Sequence, residues 1–236
     1  MDFTYDDEQD ALREAVSGLL QKAYSGEQRR EVTAADPGFD EKTWARLAEM
    51  GVLGLPFAEE DGGAGAGPVE VAIVAEEIGK VLAPEPFVET VVLAGGLVAA
   101  VGTAEQRAEV LGAVSEGSSV LAFAHAEPGT RWADSAAAVT ASEDGGSWRL
   151  SGVKEPVVQG ARAAVLLAER QPEHAHLGQP GPGLLVEAGV GRGDRAALLA
   201  AVGLLQQAAH GLAEGVLLVV VAEVHGEITT PGSCRR

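Results

Sequence analysis

The apolar residues of this chain change their spacing near Ser118, and no other feature restricts the fold as strongly. Before that point they recur every three or four residues. Leu12, Ala15, Val16, Leu19 and Leu20 form one such set, after a start signal at Thr4 to Asp7 and before Gly26. Trp44, Leu47 and Ala48 form a second, behind a capping Asp40 and before Gly51. Val71, Ile73, Val74, Ile78 and Val81 form a third, opened by Pro68 and stopped by Pro84 and Pro86. This is the stripe of helices that bury one face. Phe87–Val101 is apolar almost throughout and reads as a helix buried on most sides; Thr103–Gly117 is a shorter one. After Ser118 the runs are short and separated by turn residues: Ser119–His125, Ala136–Ala141, Trp148–Leu150, Val153–Val158 and Ala163–Ala168. These read as strands, with a hairpin at Gly145-Gly146.

Helices followed by strands give an α+β order rather than alternating βαβ. The expected architecture is an N-terminal helical bundle over residues 1–118 and a partial antiparallel β-domain over 119–170. A divergent tail follows over 171–236, with an apolar helix at about 195–214. Gly215–Val224 fits either a strand or more helix.

Charge narrows the functions. The chain has 236 residues and a formal net charge of −18. Residues 1–120 hold 8 Lys+Arg against 23 Asp+Glu, and residues 121–236 hold 9 against 12. A surface that acidic repels phosphate backbones, and 4% aromatics leave little for base stacking, so no nucleic-acid partner is expected. The longest apolar runs, Val91–Val101 and Gly215–Ala222, fall short of the roughly 20 residues a bilayer needs. The N-terminus lacks a signal-peptide core, and a soluble, cytoplasmic protein is expected. Cys234 is the single cysteine, which excludes an intrachain disulfide.

Single motifs point nowhere. Gly62, Gly63, Gly65 and Gly67 follow no strand and precede no lysine, so they read as a flexible connection into the helix at Pro68 rather than a phosphate cradle. His174 and His176 have only Glu173 beside them and read as a solvated loop, with no metal site. No serine sits in a nucleophile elbow.

The distributed pattern is more specific. DDEQDALREAV is followed by WARLAEMGVLGLPFAEEDGGAGAGPVEVAIVAEEIGKVLAPEPFVETVVLAGGL, then LAFAHAEPG, then LSGVKEPVVQGARAAVLL. In this order the chain closely resembles the acyl-CoA dehydrogenase family over about residues 1–170, most of all its members acting on steroid side chains and other bulky acyl-CoA thioesters. The resemblance implies a helical domain, a middle β-domain and a C-terminal helical bundle. It implies FAD as cofactor and an acyl-CoA as substrate. A carboxylate takes the α-proton, the β-hydride passes to the flavin, and an electron-transferring flavoprotein takes the electrons. It also implies a homo- or hetero-oligomer.

Carried over residue by residue, the first flavin strand is Phe123, Ala124, His125, Ala126, Glu127, Pro128 and Gly129. Ala126 stands where a hydroxyl would meet the flavin, yet its backbone N–H can still donate. Glu127 reads as a structural turn acceptor. Trp132 falls in a turn that approaches substrate. The second strand runs from Lys154 to Gly160, with Val157, Val158 and Gln159 as flavin contacts. Pro156 replaces a shielding aromatic and Val158 a hydroxyl. Asp194 matches the position where some members carry a catalytic carboxylate. The chain ends well before a typical member does, so a truncated form is expected, incomplete on its own. Two alternatives stay open: a catalytically silent subunit or degenerate fragment, and an acidic helical interaction module.

Overall fold

The computed structural model describes residues 4–129, 139–144, 147–160, 162–169, 184–185 and 216–220. Helix α1 spans Asp7–Ala23, and Asp6 begins it with a capping box: its carboxylate accepts the Gln9 N–H while Gln9 accepts the Asp6 N–H. A second box, Ser25 with Gln28, opens α2 at Gly26–Ala34. The spacing of apolar residues did not announce α2, because it buries none of its side chains. Asp40 caps α3, Glu41–Glu49, as expected, and Gly51 at φ +74° ends the turn that follows. Helix α4 is Pro68–Val81, with Pro68 in its first turn and a left-handed Leu82 closing it.

Phe87–Val101 is a helix, but not a regular one. Val88–Gly95 is π-helical and passes into α5, Gly96–Val101. One side is open rather than buried: Val88, Val92 and Leu93 are 37–51% exposed. On the other side Gly95 lets the Phe57 ring approach so closely that a Cβ would lie 2.6 Å from Phe57 Cζ. Helix α6, Ala104–Ser115, completes the helical part, capped by Thr103 and Gln106.

One core joins these elements. Val16 and Leu20 of α1 meet Leu47 of α3, Leu53, Phe57, Val74 of α4, Phe87, Val91 and Leu111 of α6, all essentially sealed from solvent. Burying each such side chain contributes about 1.5–3 kcal/mol. The glycine-rich loop belongs to this packing and is not a flexible connection. The N–H groups of Gly63, Ala64, Gly65 and Ala66 donate to the carbonyls of Ala58, Gly54, Phe57 and Leu55. Those donors are spent inside the loop, which leaves no phosphate cradle. Arg107 Nε pins it to α6 through Asp61 at 3.0 Å.

The strands are β1 (Leu121–Ala124), β2 (Thr140–Asp144), β3 (Ser147–Ser151), β4 (Val165–Glu169), β5 (Leu184–Leu185) and β6 (Val216–Val220). The expected hairpin is present: β2 and β3 pair antiparallel with Asp144 opposite Ser147. The sheet as a whole is not antiparallel. Its order is β1-β4-β6-β5, and β1 pairs with β4 in parallel, Leu121 opposite Val165. A parallel pair needs a long crossover, and the β2–β3 excursion between the two strands supplies it. Val153–Val158 forms no strand. Residues 216–220 are a strand, which removes the helical option there, and the helix expected at 195–214 lies outside the described residues.

Thr90, fully buried in the π-helical segment, ties the helices to β1. Its hydroxyl donates to the Leu121 C=O at 3.0 Å and accepts the Leu121 N–H at 3.3 Å. A second buried polar group lies between α1 and the turn before Phe87, where the Tyr24 hydroxyl donates to Glu85. Burial pushes the Glu85 carboxyl up from its ordinary value of 4.5, against the lowering effect of the Tyr24 hydrogen bond.

Two consequences are measurable. Thr90→Val leaves both polar groups of Leu121 unpaired on that side and should cost about 1–3 kcal/mol in urea unfolding; a loss below about 0.5 kcal/mol would sink the anchoring role. Because the folded value of Glu85 is raised, its stabilising contribution is complete below the ordinary carboxylate range and is lost as pH rises through the folded value. Glu85→Gln keeps an acceptor for Tyr24 and removes this titration. Its melting temperature should fall less than that of the wild type between about pH 5 and about pH 8. Parallel curves for the two proteins would show that Glu85 is not the titrating group.

Candidate functional site

The site is built on the chain that leaves β1. Thr90 holds Leu121, and the alternation of a strand then places Phe123 and His125 on one face. Both are half-buried, and their rings lie 5.4 Å apart at 33°. Ala124 points the other way and is 4% exposed, so only its backbone can reach a ligand. Beyond Ala126 the chain turns through Glu127, Pro128 and Gly129. Pro128 and Gly129 are exposed, and Gly129 takes φ +81°, a conformation glycine adopts without strain.

Lys154 and Glu127 fix this exit. Glu127 is 4% exposed, and its Oε1 lies 2.9 Å from Lys154 Nζ and accepts the Val139 N–H at 3.2 Å. Lys154 Nζ also donates to the His125 carbonyl at 3.1 Å. Glu155 N–H donates to the Ala126 carbonyl at 2.8 Å, so the 152–155 segment runs beside 125–127. Gly152 lets Val139 close in: a Cβ there would lie 2.7 Å from Val139 Cγ2. One buried ion pair thus joins three stretches of chain that are remote in sequence.

The second expected stretch is a turn. Gln159 has φ +60°, and its carbonyl accepts the N–H groups of Arg162 and Ala163. Val158 is 55% exposed. Arg162 pairs with Asp36, so this turn sits against the loop between α2 and α3. Phe123, Ala124, His125, Ala126, Pro128 and Gly129 therefore share one continuous segment. Lys154 and Glu155 connect it to the stretch that leads into Val157, Val158 and Gln159. Trp132 and Asp194 lie outside the described residues. Sequence reading did not find Thr90, although a lone threonine in the apolar run from Phe87 to Val101 was a usable signal. It also missed that Glu127 pairs with Lys154; the pairing depends on a contact across 27 residues of sequence.

The surroundings of Ala126 fit a planar heteroaromatic cofactor of the flavin type. Its N–H donates to no partner among the described residues, although the residue is half-buried. That free donor stands beside an aromatic pair on a backbone braced from below. No group of three His, Cys, Asp or Glu side chains among the described residues could hold a metal ion. No helix among them is long and apolar enough to cross a membrane.

Comparison with known proteins names the class to which this helical unit belongs. Residues 6–118 match the family model described as acyl-CoA dehydrogenase, N-terminal domain, and the chain carries that domain. Among curated proteins it is 30% identical over 185 residues to acyl-CoA dehydrogenase FadE12 of Mycobacterium tuberculosis, covering 78% of this chain and 47% of the relative. Among solved structures, a Tcur3481-Tcur3483 steroid ACAD variant aligns with TM-score 0.63 and 35% identity, covering 70% of this chain and 45% of that one. The ChsE4-ChsE5 complex from Mycobacterium tuberculosis aligns with TM-score 0.63 and 30% identity over 72% and 46% of the two chains. The chain spans about half the length of the relatives it matches.

Glu127→Ala strands the Lys154 ammonium in a buried site and leaves the Val139 N–H without its acceptor. It should destabilise the fold by about 3–5 kcal/mol, the scale for breaking a buried pair from one side. Thermal melts followed by circular dichroism measure this; a change within about 0.5 kcal/mol would show the pair to be exposed in solution.

Proposed function

We propose that this chain contributes the flavin-binding side of an acyl-CoA dehydrogenase acting on a bulky acyl-CoA thioester. The observation that carries the reading is the Ala126 N–H, without a partner among the described residues, beside Phe123 and His125. FAD, when bound, would supply the hydride acceptor for α,β-dehydrogenation. The chain's own residues bind and orient it. Phe123 and His125 would offer a face for the ring, the Ala126 N–H would donate to it, and Val157, Val158 and Gln159 are proposed as further contacts. Ala126 and Val158 carry no hydroxyl, so in this reading backbone groups do the polar work. Glu127 is committed to Lys154 and Val139 and is not the base. Asp194 is the carboxylate proposed for that role, and Trp132 is proposed to approach the acyl group. An electron-transferring flavoprotein is proposed to reoxidise the flavin.

A second reading has a specific support. The ChsE4-ChsE5 structure is of a complex, and the Tcur3481-Tcur3483 relative is a steroid ACAD. This chain is accordingly proposed to pair with another dehydrogenase-like subunit, and a thioester of steroid size is the favoured substrate class.

The visible spectrum of the purified chain tests the first reading. With FAD supplied and the excess removed, the flavin band should remain with the protein. A soluble, folded sample without the band, alone and with a co-expressed partner subunit, would overturn it.

A further inference from the structure

The free N–H of Ala126 and the carbonyl of His125 belong to the same peptide group. Lys154 Nζ donates to that carbonyl at 3.1 Å, and the ammonium is itself held by Glu127 at 2.9 Å. An amide whose oxygen accepts from a cation is polarised, and its N–H becomes a stronger donor. The Lys154 side chain is 9% exposed and that of Glu127 2%, so water screens this effect little. The carbonyl end is therefore clamped by a charge, while the N–H end is left without a partner among the described residues.

We propose that Lys154 is a positioning residue: through the His125 carbonyl it orients and polarises the His125–Ala126 peptide, so that the Ala126 N–H binds a ring acceptor that gains negative charge on reduction. This rests on the flavin reading above. It goes further by giving Lys154 an electrostatic role, with Glu127 as the group that holds it. A donor strengthened in this way favours the reduced ligand over the oxidised one, and so raises the midpoint potential.

The test compares Lys154→Met and Lys154→Arg with the wild-type chain. In the flavin-loaded protein, Lys154→Met should lose about tenfold of its preference for reduced over oxidised FAD, a shift of about 30 mV to more negative potential for a two-electron couple. Lys154→Arg, which keeps a cation on the carbonyl, should recover at least half of it. An unchanged potential in a flavin-loaded Lys154→Met protein overturns the proposal. The second readout needs no flavin. In isotopically labelled chain, the His125 carbonyl carbon and the Ala126 amide should shift together in Lys154→Met and return toward wild type in Lys154→Arg. Unmoved resonances overturn the brace itself. If they move while the wild-type chain retains no FAD, the brace stands and the flavin reading fails. Should Lys154→Met not fold, the Glu127→Gln, Lys154→Met double variant removes both charges together, and the same two readouts decide.

Discussion

A single threonine hydroxyl sets where the β-strands begin. Thr90 satisfies both the N–H and the C=O of Leu121 from within a helix, so β1 is held by a side chain on one edge and by β4 on the other. A strand edge with unpaired polar groups is costly to bury and prone to stray pairing. Here the edge is closed by the same segment that packs Val91 and Ala94 into the core. The helical part thus fixes the depth and direction of β1, and everything that leaves β1 inherits that placement.

The second tie point works by a different force. Thr90 acts between neutral groups inside an apolar core, whereas Lys154 and Glu127 bring two full charges into a site almost closed to solvent. Such a pair gains little net stability over apolar packing, because removing both ions from water offsets their attraction. What it supplies is direction. The ammonium orients the His125 carbonyl, the carboxylate orients the Val139 amide, and Gly152 admits Val139 to the same point. The segment from Leu121 to Glu127 is held at both ends, by a hydroxyl at its start and an ion pair at its finish. Between them the Ala126 N–H has no partner among the described residues.

The open backbone donor bears on one residue that looks unfavourable in sequence, Ala126. Alanine at 126 and valine at 158 carry no side-chain donor, and Pro156 offers no aromatic ring. A backbone donor does not depend on side-chain identity, so the loss at Ala126 removes a hydroxyl but leaves the N–H. The glycine-rich loop makes the complementary point. Its composition suggests mobility, yet its amides are consumed by the carbonyls of Gly54, Leu55, Phe57 and Ala58. Gly63 stands where a Cβ would lie 2.1 Å from the Phe57 oxygen, so glycine there serves close packing rather than freedom.

Much of the helical part was legible because its signals are local. Asp40, Pro68 and Gly51 mark ends, and the three- and four-residue spacing of Val71, Val74 and Ile78 marks a buried face. The β2–β3 hairpin was legible for the same reason, its turn residues lying between the strands they join. Helix α2 was not, since it is stabilised by its Ser25–Gln28 cap rather than by a buried stripe. The sequence by itself determined the starts and stops of α1, α3 and α4, the switch to strands after Ser118, and the match to the acyl-CoA dehydrogenase N-terminal domain. Only the tertiary structure decided that β1 lies parallel to β4, that the helix after Phe87 widens into a π-helix around Thr90, and that Lys154 meets Glu127. Each of these depends on groups far apart in the chain arriving at one place, and spacing along a sequence carries no record of distance across it.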